Sequence, residues 1–194
     1  MSQIKGFLSP LLEKWRMKEA SKFIIKGSIL DIGCGEGKFL KLIDYPNVKY
    51  VGVDSNKECI EKIKGDIDQE KENEDYEFIH IFVTESLNLD GEFDNIIMLA
   101  IIEHLDYPGN VLKGLTKNLS VQGRIIITTP GPLAQFIHGV GSKIGLFDKD
   151  AKDEHKVIFD KDGLYKLAKN VGLKIEYYSS FEFGLNNLVV MTRL

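Results

Sequence analysis

Cysteine is nearly absent from this chain. Only Cys34 and Cys59 occur, which excludes a disulfide framework, and no CxxC or Cys/His cluster has zinc spacing. Two reduced thiols fit an intracellular compartment. Proline is also sparse, at five residues, and there is no Pro/Ser-rich linker, low-complexity tract or internal repeat. No apolar run approaches the ~18–20 residues of a membrane span. The N-terminus, MSQIKGFLSPLLEKWRMK, lacks the unbroken apolar core and small-residue cleavage site of a signal peptide, so a cytoplasmic protein is expected. A basic surplus is missing too. Lys and Arg number 25 against 29 Asp and Glu, and a net charge of −4 gives no reason to expect nucleic acid as a partner.

What remains is a 194-residue chain, 43% hydrophobic, of a size for one domain. Short β-branched runs alternate with longer helical periods. The pattern predicts strands at Ser28–Ile32, Tyr50–Val53, Tyr76–Ile81, Asn95–Leu99, Arg124–Thr128, Leu173–Ser179 and Leu188–Thr192. Helices are predicted at Leu8–Ile25, Gly37–Ile43, Lys57–Lys64, Pro108–Leu119 and Lys161–Val171. Several strands are apolar throughout, which implies an α/β fold with a mostly parallel, doubly wound sheet covered on both faces. Only Ser180–Asn187 joins the last two strands, too short for a helical crossover, so they are expected to pair antiparallel. Asp66–Glu77 carries seven acids and one lysine and reads as a solvated loop or helix end, with an acidic docking site as the alternative. Gly131–Lys156 is a long insertion after the fifth strand and reads as a lid over a binding site or a small self-packed cap.

The strongest local signal is Ile29-Leu30-Asp31-Ile32-Gly33-Cys34-Gly35-Glu36-Gly37. A buried strand runs into a tight glycine turn, where the backbone can bend sharply or approach a ligand with no Cβ in the way. Ligands of open parallel sheets bind at such carboxyl ends, where strand order reverses. A dinucleotide fingerprint would place its third glycine at position 38, which is Lys38, and no GK[ST] follows for a Walker loop. Asp31, two residues before Gly33, suits a ligand bearing an ammonium or sulfonium cation. The second signal, Val51-Gly52-Val53-Asp54-Ser55, ends in an acid 17 residues beyond Gly37. Its carboxylate either accepts from a ribose diol or caps the following helix.

ILDIGCGEGKFL, then VGVDSN, FDNIIMLAIIEHL, LSVQGRIIITTP and GLKIEYY, in this order and spacing, resembles class I S-adenosylmethionine-dependent methyltransferases. Within that family the chain is similar to the small-molecule branch that includes quinone-biosynthesis O-methyltransferases. The resemblance implies a Rossmann-like seven-stranded sheet of order 3-2-1-4-5-7-6 with strand seven antiparallel. It implies S-adenosyl-L-methionine as cofactor, leaving S-adenosylhomocysteine, and a small-molecule methyl acceptor, O-methylation favoured. Gly33, Cys34, Gly35 and Gly37 would wrap the methionine part, and Asp31 would face its ammonium directly or through water. Asp54 would hold the ribose, with Ser55 near the adenine. Ala100 would lie near the methionine moiety, and Arg16 at the cofactor carboxylate. Many relatives carry an acid for the adenine after strand three; here Val83 occupies that place with Thr84 next, so backbone groups, apolar packing, Thr84 or Glu85 would hold the adenine.

For chemistry, a general base helps when the acceptor is a hydroxyl. His104 in IIEHL either serves there or pins its loop. His155, before strand six, matches a histidine that relatives turn toward the acceptor. His138 in the insertion is a lid histidine or a packing residue, and His80 reads as core. Cys34 reads as a small residue in a tight turn. The alternatives to a methyltransferase are a non-catalytic binding protein with a degenerate site and an NAD-type oxidoreductase.

Overall fold

The computed structural model describes residues 9–44, 46–67, 75–84, 89–134 and 159–194. The elements run α1 (Ser9–Ser21), β1 (Ile29–Ile32), β2 (Tyr50–Asp54), α2 (Lys57–Ile67), β3 (Tyr76–His80), β4 (Phe93–Leu99), α3 (Pro108–Leu115), β5 (Leu119–Pro130), α4 (Lys161–Asn170), β6 (Leu173–Phe181) and β7 (Asn186–Arg193). The strands form one seven-stranded sheet in the order β3-β2-β1-β4-β5-β7-β6, as expected. β1 pairs in parallel with both β2 and β4, so the chain reverses its direction of winding beside β1. β7 runs antiparallel between β5 and β6.

Alternation along each strand splits the core in two. Leu30, Ile32, Val51, Val53, Ile96, Met98, Ile125 and Ile127 bury one face with Val111 and Leu112 of α3 and Leu164 and Ala168 of α4. Ile29, Tyr50, Phe78, Ile97, Ile126 and Val190 bury the other with Ala20 of α1 and Ile60 and Ile63 of α2. Both faces of the central strands are dry, which is why these strands read as unbroken apolar runs.

Three expectations are corrected. The helix predicted at Gly37–Ile43 is absent: the segment makes turns and a single 3-10 turn, Leu40–Leu42. Gly35 and Gly37 both have positive φ, so the backbone leaves the strand in a left-handed path that a helix cannot continue. β5 starts at Leu119 rather than Arg124, beyond a register shift between Phe93 and Asn95 on its partner β4. The predicted helix to Leu119 ends at Leu115 accordingly. Most of the acidic stretch and of the insertion, with His138 and His155, lies outside the described residues, as does Glu85.

The β6–β7 turn is strained. Glu182, Phe183 and Gly184 all have positive φ, at 51°, 58° and 88°. Each non-glycine there costs roughly 1–2 kcal/mol, so the surrounding contacts must hold it. Phe183 is 90% exposed, yet its ring meets Trp15 of α1 edge-on at 6.2 Å, and Trp15 also meets Phe181 at 6.5 Å. The middle of α1 therefore lies against this turn through Trp15, while Lys38 pairs with Glu13 of the same stretch and ties it to the exit of the glycine loop.

Candidate functional site

The glycine loop leaves β1 at the point of reversal. The Gly33 and Cys34 N–H groups both donate to the Val53 carbonyl of β2, at 2.7 and 3.1 Å, and the Gly37 N–H donates back to the Cys34 carbonyl at 2.9 Å. Gly33 and Gly35 do different work. A Cβ on Gly33 would sit 2.2 Å from the Ile101 side chain, so that glycine lets the turn after β4 approach. A Cβ on Gly35 would meet nothing within 4 Å. Its φ of 53° aims that stretch of backbone at open space, the arrangement a ligand needs to lie against main chain.

Asp54 ends β2 and is 7% exposed. Its Oδ2 accepts from the Gly35 N–H at 2.8 Å and its Oδ1 from the Asn56 N–H at 2.7 Å. Each carboxylate oxygen keeps a second lone pair for another donor. Asn56 in turn caps α2, its Oδ1 accepting from the Glu58 N–H at 3.0 Å. An open depression of about 470 Å³ beside Asp54 is lined by Ser55, Asn56, Lys57 and Glu58. His80 is exposed rather than core: it lies at the end of β3, where its Nε2 is 3.1 Å from the Ser55 carbonyl. Val83 follows, half-buried against the core, and Thr84 is exposed.

Asp31 sits beneath the loop, 2% exposed, and its Oδ2 accepts from the Tyr50 hydroxyl. Burial pushes its carboxyl up to about 7, opposed by the Tyr50 hydrogen bond and reinforced by the charge of Asp54. The same pair drives the Tyr50 hydroxyl far above its usual value, chiefly through burial. Burial also raises the Cys34 thiol, which makes it a packing group and a poor nucleophile.

Across β1 from β2, Ala100 follows β4 with a φ of 55°, its N–H donating to the Thr128 carbonyl at 2.9 Å. A non-glycine residue in this conformation costs roughly 1–2 kcal/mol, and such strain gathers at functional sites. The 3-10 turn Ile102–His104 follows. It turns His104 to the exposed side and buries Glu103, which is 1% exposed. Burial raises the Glu103 carboxyl, while its own amide and the His104, Arg16 and Thr129 groups draw it back down.

The structure brings Gly33, Cys34, Gly35, Gly37, Asp54 and Ser55 together at the ends of β1 and β2, with Asp31 below them. Ala100 comes from the adjacent β4. Arg16, on α1, acts on the carboxyls of Glu103 and Glu182. Sequence reasoning missed Tyr50, Glu103, Glu182 and Asn186. Glu103 stands beside the histidine that drew attention, and Glu182 is a lone acid in the apolar run SSFEFG.

Among known proteins, the ubiquinone biosynthesis O-methyltransferase of Nitrosococcus oceani is 27% identical over 134 residues, 67% of this chain and 56% of that protein. The enzyme of the same name from Pelagibacter ubique is 27% identical over 127 residues. The chain thus spans about half the length of the curated relatives it matches, 56% and 52%. In fold, it resembles magnesium protoporphyrin IX methyltransferase from Synechocystis, solved with S-adenosylhomocysteine, at TM-score 0.74 and 13% identity over 100% of this chain and 90% of that one. An S-adenosylmethionine-dependent methyltransferase from Clostridium acetobutylicum aligns at TM-score 0.68 and 14% identity, covering 94% and 89% of the two chains. The sheet order and the reversal beside β1 are those expected of class I methyltransferases. A family model for methyltransferase domains matches residues 4–178, and with that match the chain belongs to the methyltransferase domain family.

Proposed function

We propose that this protein transfers a methyl group from S-adenosyl-L-methionine to a small-molecule acceptor, most readily to a hydroxyl. The carrying observation is the pair formed by Gly35 and Asp54. A left-handed glycine with open space above it is tied by its N–H to a carboxylate that keeps free lone pairs. That geometry fits a ribose-bearing ligand laid along the main chain. The names of the curated relatives, ubiquinone biosynthesis O-methyltransferases, support O-methylation.

In this reading Asp54 accepts from the ribose diol, and the depression at Ser55–Glu58 receives the base, flanked by Val83 and Thr84. Gly33, Cys34, Gly35 and Gly37 shape the wall along the methionine part. Asp31 is too deeply covered for direct contact and braces the base of the loop through its hydrogen bond with the Tyr50 hydroxyl. Ala100 closes the wall on the β4 side. S-adenosylmethionine supplies an electrophilic methyl on a sulfonium. The protein's task is to align acceptor and methyl and to exclude water. His104 and His155 remain candidates for the acceptor's proton; His104 is exposed and His155 lies outside the described residues.

Calorimetric titration with S-adenosylhomocysteine and NAD, side by side, tests the reading. Saturable binding of the first and none of the second is expected. Tight NAD binding without S-adenosylhomocysteine binding overturns it.

A further inference from the structure

We propose that Arg16, Glu103, Thr129, Glu182 and Asn186 form the acceptor subsite, and that it selects an acceptor whose head group donates hydrogen bonds, a hydroxyl or an ammonium, over one bearing a carboxylate. This rests on the methyltransferase reading above, and it gives Arg16 to the acceptor rather than to the cofactor carboxylate.

The residues converge from four elements at one end of the sheet. Glu103 comes from the turn after β4, Thr129 from the end of β5, Asn186 from the start of β7 and Arg16 from α1. Asn186 pairs in register with Pro130, next to Thr129. Glu182 enters from the β6–β7 turn and accepts from the Asn186 amide. The Thr129 hydroxyl faces Glu103 without closing a hydrogen bond, and the Arg16 charge acts on both carboxyls.

Glu103, Thr129, Glu182 and Asn186 are all nine-tenths buried or more, at 1%, 0%, 1% and 7% exposed. Yet Glu103 Oε2, Thr129 Oγ1, Glu182 Oε1, Asn186 Oδ1 and Arg16 Nε have no hydrogen-bond partner among the described residues. Buried polar atoms are almost always satisfied, so five unmatched atoms at one end of the sheet mark a missing partner. The inventory says which kind. The Asn186 oxygen only accepts, the two carboxyl oxygens accept when ionised, the Arg16 Nε–H is a fixed donor, and the threonine hydroxyl can do either. Two carboxylates against one guanidinium leave an excess of negative charge. A donor-bearing head completes this set, and a carboxylate meets repulsion.

The backbone is bent to build it. Glu182 and Phe183 hold left-handed conformations that turn Glu182 inward while Phe183 stays 90% exposed. Strain of this kind persists where the structure over-determines a position. Location agrees with an acceptor site. The turn carrying Glu103 begins at Ile101, which packs on Gly33, so the cluster lies one strand beyond the proposed methionine end of the cofactor.

The test uses the full chain saturated with S-adenosylhomocysteine. Benzylamine, benzyl alcohol, anisole and benzoate are titrated by ligand-observed NMR. Benzylamine or benzyl alcohol should bind at least about tenfold more tightly than anisole and benzoate, the loss expected for missing charge-assisted hydrogen bonds. Whichever of the two binds better names the nitrogen or oxygen acceptor. Glu103→Gln and Glu182→Gln should each lower that affinity about tenfold or more, with S-adenosylhomocysteine affinity kept within twofold. If Glu103→Gln does not fold, Glu182→Gln alone decides. Equal binding of all four probes, binding of none, or preference for benzoate overturns the proposal. So does loss of S-adenosylhomocysteine binding in folded variants, which would assign the cluster to the cofactor. Failure of the wild type to bind S-adenosylhomocysteine instead defeats the methyltransferase reading itself.

Discussion

Asp54 and Gly35 are joined across the reversal point of the sheet, the carboxylate of one accepting the N–H of the other at 2.8 Å. The acid at the end of β2 therefore fixes the shape of the loop at the end of β1. Its second oxygen holds Asn56, which begins α2. A single side chain sets the loop, the helix and the lone pairs offered to a ligand.

Asp54→Ala should accordingly do two things. Ligand affinity should fall about ten- to a hundredfold through loss of charge-assisted bonds to the ribose. Stability should fall by about 1–3 kcal/mol, because the Gly35 and Asn56 N–H groups lose their acceptor. Calorimetry with S-adenosylhomocysteine and a denaturant melt measure the two separately. Unchanged affinity in a folded variant removes Asp54 from the ribose site.

The two glycines should separate under substitution. Gly33→Ala drives a Cβ to 2.2 Å from Ile101, in a residue with φ of 78°, so it should cost several kcal/mol of stability. Gly35→Ala meets no atom and pays only the left-handed strain, roughly 1–2 kcal/mol. It should nevertheless abolish measurable S-adenosylhomocysteine binding, because the new methyl occupies the ligand's space. A Gly35→Ala protein that binds normally places the ligand elsewhere.

The sheet was legible because its strands are apolar on both faces and its last connection is short. ILDI and YVGVD can only be central strands, and Ser180–Asn187 can only be a hairpin. The glycine loop and Asp54 were legible for a related reason, since glycines and an acid at strand ends stand out against apolar runs. The helix expected after the loop was not, because three positive-φ glycines in five residues override the periodicity of Phe39, Leu40 and Ile43. Glu103 and Glu182 were illegible because their meaning is set by burial. Nothing in IIEHL tells which of Glu103 and His104 turns inward. Residues with φ of 51° and 58° at Glu182 and Phe183 leave no composition signal at all.

Asp31 and Tyr50 give the protein a stability that depends on pH. The Asp31 carboxyl titrates at about 7 in the folded protein against 3.8 in the unfolded chain. The folded state thus binds this proton more tightly. Its contribution is fully present below about pH 4 and is lost as pH rises to about 7, by an amount on the order of 4 kcal/mol. Glu103 and Glu182, raised by burial, act in the same sense, whereas Asp94, held by Ser28 and Ser120, titrates below its usual value and stabilises at higher pH. The Asp31 component is therefore isolated by substitution. Asp31→Asn should be less destabilised relative to the wild type at pH 8 than at pH 5, since no charge is buried in the variant. Tyr50→Phe should do the reverse. The Tyr50 hydroxyl donates to the charged carboxylate and lowers its pKa, so removing it raises Asp31 further. The deficit of Tyr50→Phe should widen from pH 5 to pH 8 in urea melts at fixed ionic strength. If the deficits of both variants are flat across that range, Asp31 does not titrate there and the buried pair is held by something other than this proton.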